Sequence, residues 1–198
     1  MSPQAVAHPH SWIDLRTFAI FDAQGRITAL RVLWTFDEFY TAFAIEGMDK
    51  DGDGVPDDAS LRTLADASTK GLSEYSYFTF IESAGKPVAH GPVRDMESTY
   101  FQNRLGLAFT LPLAEPVDPR KSSFVYRIYD PTYYIEILHV EDKPVLFEGA
   151  APAGCRYDVA IPKPDMKVLS LAQSLDRTQS AGDGLGQYFA ETTTIHCP

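Results

Sequence analysis

Ile27-Thr28-Ala29-Leu30-Arg31-Val32-Leu33-Trp34-Thr35-Phe36 is the stretch whose reading decides the fold class. Leu30, Val32, Trp34 and Phe36 recur at every second place, the period at which a strand turns its side chains to one face. Asp22-Ala23-Gln24-Gly25 just upstream has turn composition, and a first extended run ends before it at Phe21. Two extended runs around a short turn predict a β-hairpin.

Downstream the same period recurs in short pieces. Strands are expected at 75–81, 96–101, 105–111, 124–129, 133–140, 145–147, 155–161 and 188–197, with a possible return strand opening at Val88-Ala89-His90. Residues 112–120 read as a proline-rich connection, and Asp130-Pro131 must bend or bulge because proline breaks the ladder. Residues 165–175 have the apolar spacing of a short helix, and 180–186 form a glycine-rich loop without the strand-loop-helix setting of a phosphate cradle. Twelve Phe and ten Tyr, with 44% hydrophobic residues, supply an aromatic core, while fourteen Pro and thirteen Gly supply turns. No repeat divides the 198 residues. The expected fold is α+β, mainly antiparallel β and sandwich-like, as one β-rich domain over 8–198, with one EF-hand-like helix-loop-helix insertion at about 37–68.

That insertion holds the most specific local signal, Asp49-Lys50-Asp51-Gly52-Asp53-Gly54-Val55-Pro56-Asp57-Asp58-Ala59-Ser60. With Asp49 as first, carboxylates fall at places one, three, five and nine. Gly54 is sixth, where an EF-hand loop turns sharply, and Val55 is seventh, offering its backbone carbonyl. Crowded carboxylates repel one another unless a cation lies among them, and hard oxygen ligands suit Ca2+. Ser60 replaces the bidentate Glu of the twelfth place, which moves the expected affinity to about 10⁻⁴ to 10⁻³ M. Pro56 has no N–H to exchange with a paired loop, so a solitary loop is expected. Glu38 to Ile45 has helical spacing before the loop, and Pro56 with Asp57 and Asp58 suits a helix start after it. The competing reading is an acidic turn that holds no ion.

Composition excludes several classes of function. A formal charge of −10 and a pI near 4.8, with no cluster of Lys or Arg, oppose nucleic-acid binding. No apolar run reaches the length of a membrane-spanning helix, about 18 residues. No G-x-S-x-G elbow or H-E-x-x-H helix is present, so no catalytic machinery is recognised. Cys155 and Cys197 are the only cysteines, and a disulfide between them is the economical reading, which requires an oxidising compartment. Two free thiols would instead leave Cys155 open as a nucleophile.

The N-terminus carries a second candidate site. Ala5-Val6-Ala7 fits the small-residue pattern before a signal-peptidase cut, so residues 1–7 read as the remainder of an export leader. A cut there would make His8-Pro9-His10 the start of the mature chain. His8 could then offer both its amine and its imidazole to a Zn2+, Ni2+ or Cu2+ ion, with His10 two residues on. In an extended chain His8, His10, Trp12 and Asp14 share a face, and Asp14 could bind the metal or orient an imidazole. His90, His139 and His196 are candidates for a further ligand. Solvated histidines at the start of a strand are the alternative.

His8-Pro9-His10-Ser11-Trp12-Ile13-Asp14, Trp34-Thr35-Phe36-Asp37, the Asp-rich loop before a helix, and Asp130-Pro131-Thr132-Tyr133-Tyr134 follow one another in a recognisable order. From His8 onward the chain resembles bacterial family of unknown function 1007, described as the periplasmic component of an ABC-type transport system. The resemblance implies export to the periplasm and, from the divalent-metal permeases that often accompany members, a role in metal handling. It implies no established activity. The expected function is a periplasmic divalent-metal-binding accessory protein, with a transition metal at His8, His10 and Asp14 and calcium at Asp49, Asp51, Asp53, Val55, Asp57 and Ser60. A membrane metal permease or ABC transporter would be its partner. The alternative is a calcium-stabilised interaction module of an envelope transport system.

Overall fold

The computed structural model describes residues 9–174 and 184–198. Strands β1 (Ser11–Phe21) and β2 (Ile27–Phe36) form the expected antiparallel hairpin, in one register from Ile13 opposite Phe36 to Ile20 opposite Ala29, with a one-residue shift before Phe21 opposite Ile27. Asp22 closes its turn by accepting the N–H groups of Gln24 and Arg26. Helices α1 (Glu38–Ala44) and α2 (Asp58–Ser73) follow, then β3 (Thr79–Ser83), β4 (Lys86–Pro87), β5 (Arg94–Phe101), β6 (Arg104–Val117), β7 (Phe124–Ile128), β8 (Ile135–His139), β9 (Val145–Gly149), β10 (Arg156–Ala160), α3 (Met166–Ser174) and β11 (Thr192–His196).

Two sheets result, mostly antiparallel, and the fold is an α+β sandwich. One sheet has the order β5-β6-β2-β1-β8 with β9 also on β1, and the other β10-β11-β7-β3-β4. Their facing residues form one apolar cluster that includes Leu15, Val32, Trp34 and Phe109 from the first sheet with Ile81, Phe124, Tyr126 and Ile195 from the second. Alternation puts those side chains inward, and α2 lies against β5 with Leu61 and Ala65 buried. Among the described residues no helix is long and apolar enough to cross a membrane.

Several local expectations change. The strand expected from Tyr75 begins only at Thr79, because Ser76, Tyr77 and Phe78 make a turn with φ of 51°, 52° and 53°. A strand would send Tyr77 and Phe78 to opposite faces, whereas the left-handed turn buries both, at 6% and 8% exposure. The 112–120 connection is instead largely strand, since β6 runs to Val117. Pro112 stands opposite Ala29 beside a register shift, and its carbonyl accepts Gly91 N–H at 2.7 Å. Proline is tolerated at such an irregularity because no ladder donor is needed from it. Past β4, the return at Val88-Ala89-His90 is reduced to a bridge between His90 and Leu113.

The Asp130-Pro131 bend carries the chain from one sheet to the other. The Asp130 carboxylate, 5% exposed, accepts the N–H groups of Thr132, Tyr134 and Ile135 and the Thr132 hydroxyl, so β8 starts at Ile135 rather than Tyr133. β8 and β9 then pair parallel to the first and second halves of β1. Cys155 and Cys197 form a disulfide that joins the start of β10 to the end of β11. The helix expected at 165–175 is α3, whose last expected residue lies outside the described residues, as does most of the 180–186 loop.

Candidate metal centre

The loop between α1 and α2 is shaped by its own carboxylates. Asp49 accepts Gly52 N–H through Oδ1 at 2.7 Å and Gly54 N–H through Oδ2 at 3.0 Å. Asp51 accepts Asp53 N–H at 3.3 Å, and Asp53 accepts Val55 N–H at 2.8 Å. Gly54 has φ of 88°, a value that would strain a residue with a Cβ, which is why glycine suits the sixth place. The windings draw the three side chains inward. Asp49, Asp51 and Asp53 each present an oxygen, and these oxygens lie within 4.8 Å of one another. A Ca2+ ion with bonds of about 2.3–2.6 Å can span such a group.

Asp57 ties the ends of the loop together, its Oδ2 accepting Lys50 N–H at 2.9 Å while its own N–H donates to Met48 O at 2.9 Å. Ser60 sits in the first turn of α2 and Val55 is exposed at the loop's outer edge. The Gly54 N–H, helped by that of Gly52, holds the Asp49 carboxyl below the ordinary carboxylate range. A carboxylate kept ionised is a ready cation ligand.

The N-terminal candidates are arranged differently. His8 lies outside the described residues. His10 is half-buried, with its ring 4.7 Å from that of Tyr134 and its N–H donating to Tyr134 O at 2.9 Å. Trp12 and Asp14 alternate with buried Ser11, Ile13 and Leu15, so they share a face, as the strand period implies, and that face is the outer one. Asp14 Oδ2 accepts Arg104 Nη1 at 2.5 Å, and that guanidinium also donates to Phe36 O and Thr35 O. Any cation at Asp14 would compete with this ion pair.

Among the described residues, no group of three or more potential metal-ligating side chains includes His10. His139 stands opposite Leu15 in β1, five residues of strand from His10 or about 16 Å. It is buried and pairs with Glu191, Nδ1 to Oε2 at 2.8 Å. His90 hydrogen-bonds Gly91 O at 2.9 Å, and His196 lies 3.7 Å from Asp158.

Asp37 ties the start of β1 to the start of α1, a link the sequence reading did not make. Its Oδ1 accepts Tyr40 N–H at 2.9 Å and caps α1, while Oδ2 accepts the Ser11 hydroxyl and Trp12 N–H, both at 2.9 Å. Burial works to raise its pKa, but the donations from Trp12, Tyr40 and Ser11 outweigh it and hold the carboxyl low. An aspartate just before a helical run is a capping signal; its grip on Ser11, 26 residues away, leaves no local trace.

A two-sheet α+β sandwich with an acidic helix-loop-helix excursion, stapled by one disulfide, is the class of protein this defines. The chain belongs to the family described as Protein of unknown function (DUF1007), which matches residues 1–197. It is similar to an uncharacterized protein of Haemophilus influenzae, 29% identical over 198 residues that cover 97% of this chain and 92% of the relative.

Proposed function

We propose that this protein is a divalent-cation-binding accessory protein of the bacterial periplasm, associated with metal transport, in which the loop at Asp49, Asp51, Asp53, Val55, Asp57 and Ser60 takes up Ca2+. The convergence of three carboxylates at EF-hand spacing, within 4.8 Å of one another, carries the reading. The disulfide supports an extracytoplasmic location. Calcium in the loop would brace α1 against α2.

The test is a thermal melt with and without calcium. At a dissociation constant of about 10⁻⁴ to 10⁻³ M, about 10 mM Ca2+ stabilises a binding-competent fold by about 1.4–2.7 kcal/mol, which raises Tm by about 3–10 °C. Asp51→Ala and Asp53→Ala remove the shift. A shift of the same size in either variant overturns the assignment.

The same reading extends to a transition metal held by His8 and His10, with Asp14 as ligand or orienting partner, and to delivery through a membrane permease. Native mass spectrometry and elemental analysis of the exported protein test it. Stoichiometric Zn, Ni or Cu that disappears on replacing His8 and His10 with Ala supports it, and calcium alone refutes it. In that event the protein is a calcium-stabilised docking module. Phe39 and Phe43, one helical turn apart on α1 and 87% and 76% exposed, favour this second reading because a protein partner would cover them.

A further inference from the structure

β10 (Arg156–Ala160) is bonded along one edge, to β11, and ends the second sheet. Among the described residues no backbone hydrogen bond reaches residues 156–160 from the other side. Proteins ordinarily blunt such an edge with proline, a bulge or a very short strand. The opposite edge of the sheet follows that rule, because β4 is two residues long and ends in Pro87. In the first sheet the edge strand β5 shifts register between Arg94 and Glu97. β10 has none of these devices. It pairs with β11 without a register shift from Arg156 to Ala160, and the Cys155–Cys197 disulfide fixes the strand at its start.

Alternation turns Tyr157 and Val159 toward the core and leaves Arg156 and Asp158 exposed on the outer face. Arg156 enters no ion pair among the described residues. Asp158, with 72% of its side chain exposed, has His196 near it only at 3.7 Å. These two charges, opposite in sign and two residues apart, decide how the edge can meet a copy of itself. Antiparallel pairing about a twofold axis normal to the sheet sets opposite one another residues equally far from the residue on the axis. With the axis at Arg156 the two arginines oppose each other, and with it at Asp158 the two aspartates do. With the axis at Tyr157, Arg156 of each copy faces Asp158 of the other. Opposite charges favour a cross-strand pair and like charges disfavour it, so the edge is self-complementary in that register.

We propose that β10 is an interface between two copies of this chain, paired antiparallel about Tyr157 so that the second sheet continues from one copy into the other. The two Tyr157 side chains then adjoin on the core side as an aromatic cross-strand pair. A five-residue edge is a short contact, so the dimer is weak and reversible, with a dissociation constant of about 1 μM to 1 mM.

The test is sedimentation equilibrium of the full chain at concentrations up to about 1 mM. Salt at about 0.15 M screens the charge of −10 on each copy beyond about 8 Å. Arg156→Asp and Asp158→Arg, exposed changes that circular dichroism should show to be folded, are each expected to weaken self-association at least about tenfold. Each replaces two attractions with two repulsions. An equimolar mixture of the two variants is expected to associate again, because every Arg–Asp opposition is re-formed between unlike copies. The exchange variant carrying both substitutions is expected to dimerise as the wild type does. A wild type that is monomeric at every concentration leaves the edge to another partner and overturns the proposal. So does a dimer whose affinity either single reversal leaves unchanged, or a mixture that associates no better than its separate components.

Discussion

Replacing Asp37 with Ala removes three acceptor contacts at one stroke, and their worth can be built up from their settings. Loss of the α1 cap at Tyr40 N–H costs about 1 kcal/mol. The Ser11 hydroxyl belongs to a residue only 5% exposed, and losing its charged acceptor costs about 1.5 kcal/mol. Trp12 N–H is exposed, so water replaces most of that bond and about 0.5 kcal/mol is lost. The sum, about 3 kcal/mol, lowers Tm by about 6–12 °C in a domain of this size. Asp37→Asn keeps a capping oxygen and falls between wild type and Ala. The assay is thermal unfolding followed by circular dichroism, with Ser11→Ala as partner in a double-mutant cycle. Contact residues couple, so Asp37→Ala costs about 1 kcal/mol less in the Ser11→Ala background. Equal Tm for Asp37→Ala and wild type, or strict additivity with Ser11→Ala, refutes the reasoning.

Other perturbations have equally definite outcomes. Reducing or replacing Cys155 and Cys197 opens a cross-link spanning 42 residues, and the chain-entropy relation puts the loss at about 4 kcal/mol, measured as a fall in urea midpoint under reducing conditions. His139→Ala strands the Glu191 carboxylate, only 12% exposed, and lowers stability by about 3 kcal/mol in chemical denaturation. Burial works to raise the Glu191 pKa, but hydrogen bonds from the His139 ring and N–H prevail and lower it. Its stabilising contribution is therefore full above the unfolded value of about 4.3 and is lost as pH falls through the lower folded value, so wild-type Tm drops in that acid window and Glu191→Gln flattens the drop. At Gly186 a Cβ would run into the Asp130 carbonyl, so Gly186→Ala displaces the 184–189 segment from Pro131 and costs at least about 2 kcal/mol by the same denaturation assay.

What the sequence disclosed was what local pattern encodes. The period-two run through Trp34 disclosed the β1–β2 hairpin, and the Asp49-to-Asp53 spacing disclosed carboxylates that do converge. β8 and β9 were readable as strands, but their parallel docking on β1 depends on Asp130 redirecting the chain between sheets, a tertiary event. The left-handed turn at 76–78 contains no glycine to announce it. Asp14 could be assigned to the outer face from alternation, whereas its partner Arg104 lies 90 residues away and no spacing rule connects them.

β1 is bonded along both edges, to residues 27–36 on one side and to residues 135–149 on the other. β1 therefore waits for chain made more than 110 residues later before its second edge is satisfied. Long loop closures of this kind place a domain among the slow folders and prolong the time for which sticky strand edges stay open. Until residues 135–149 arrive that edge of β1 stays open, the condition in which a polypeptide can still be held by a chaperone.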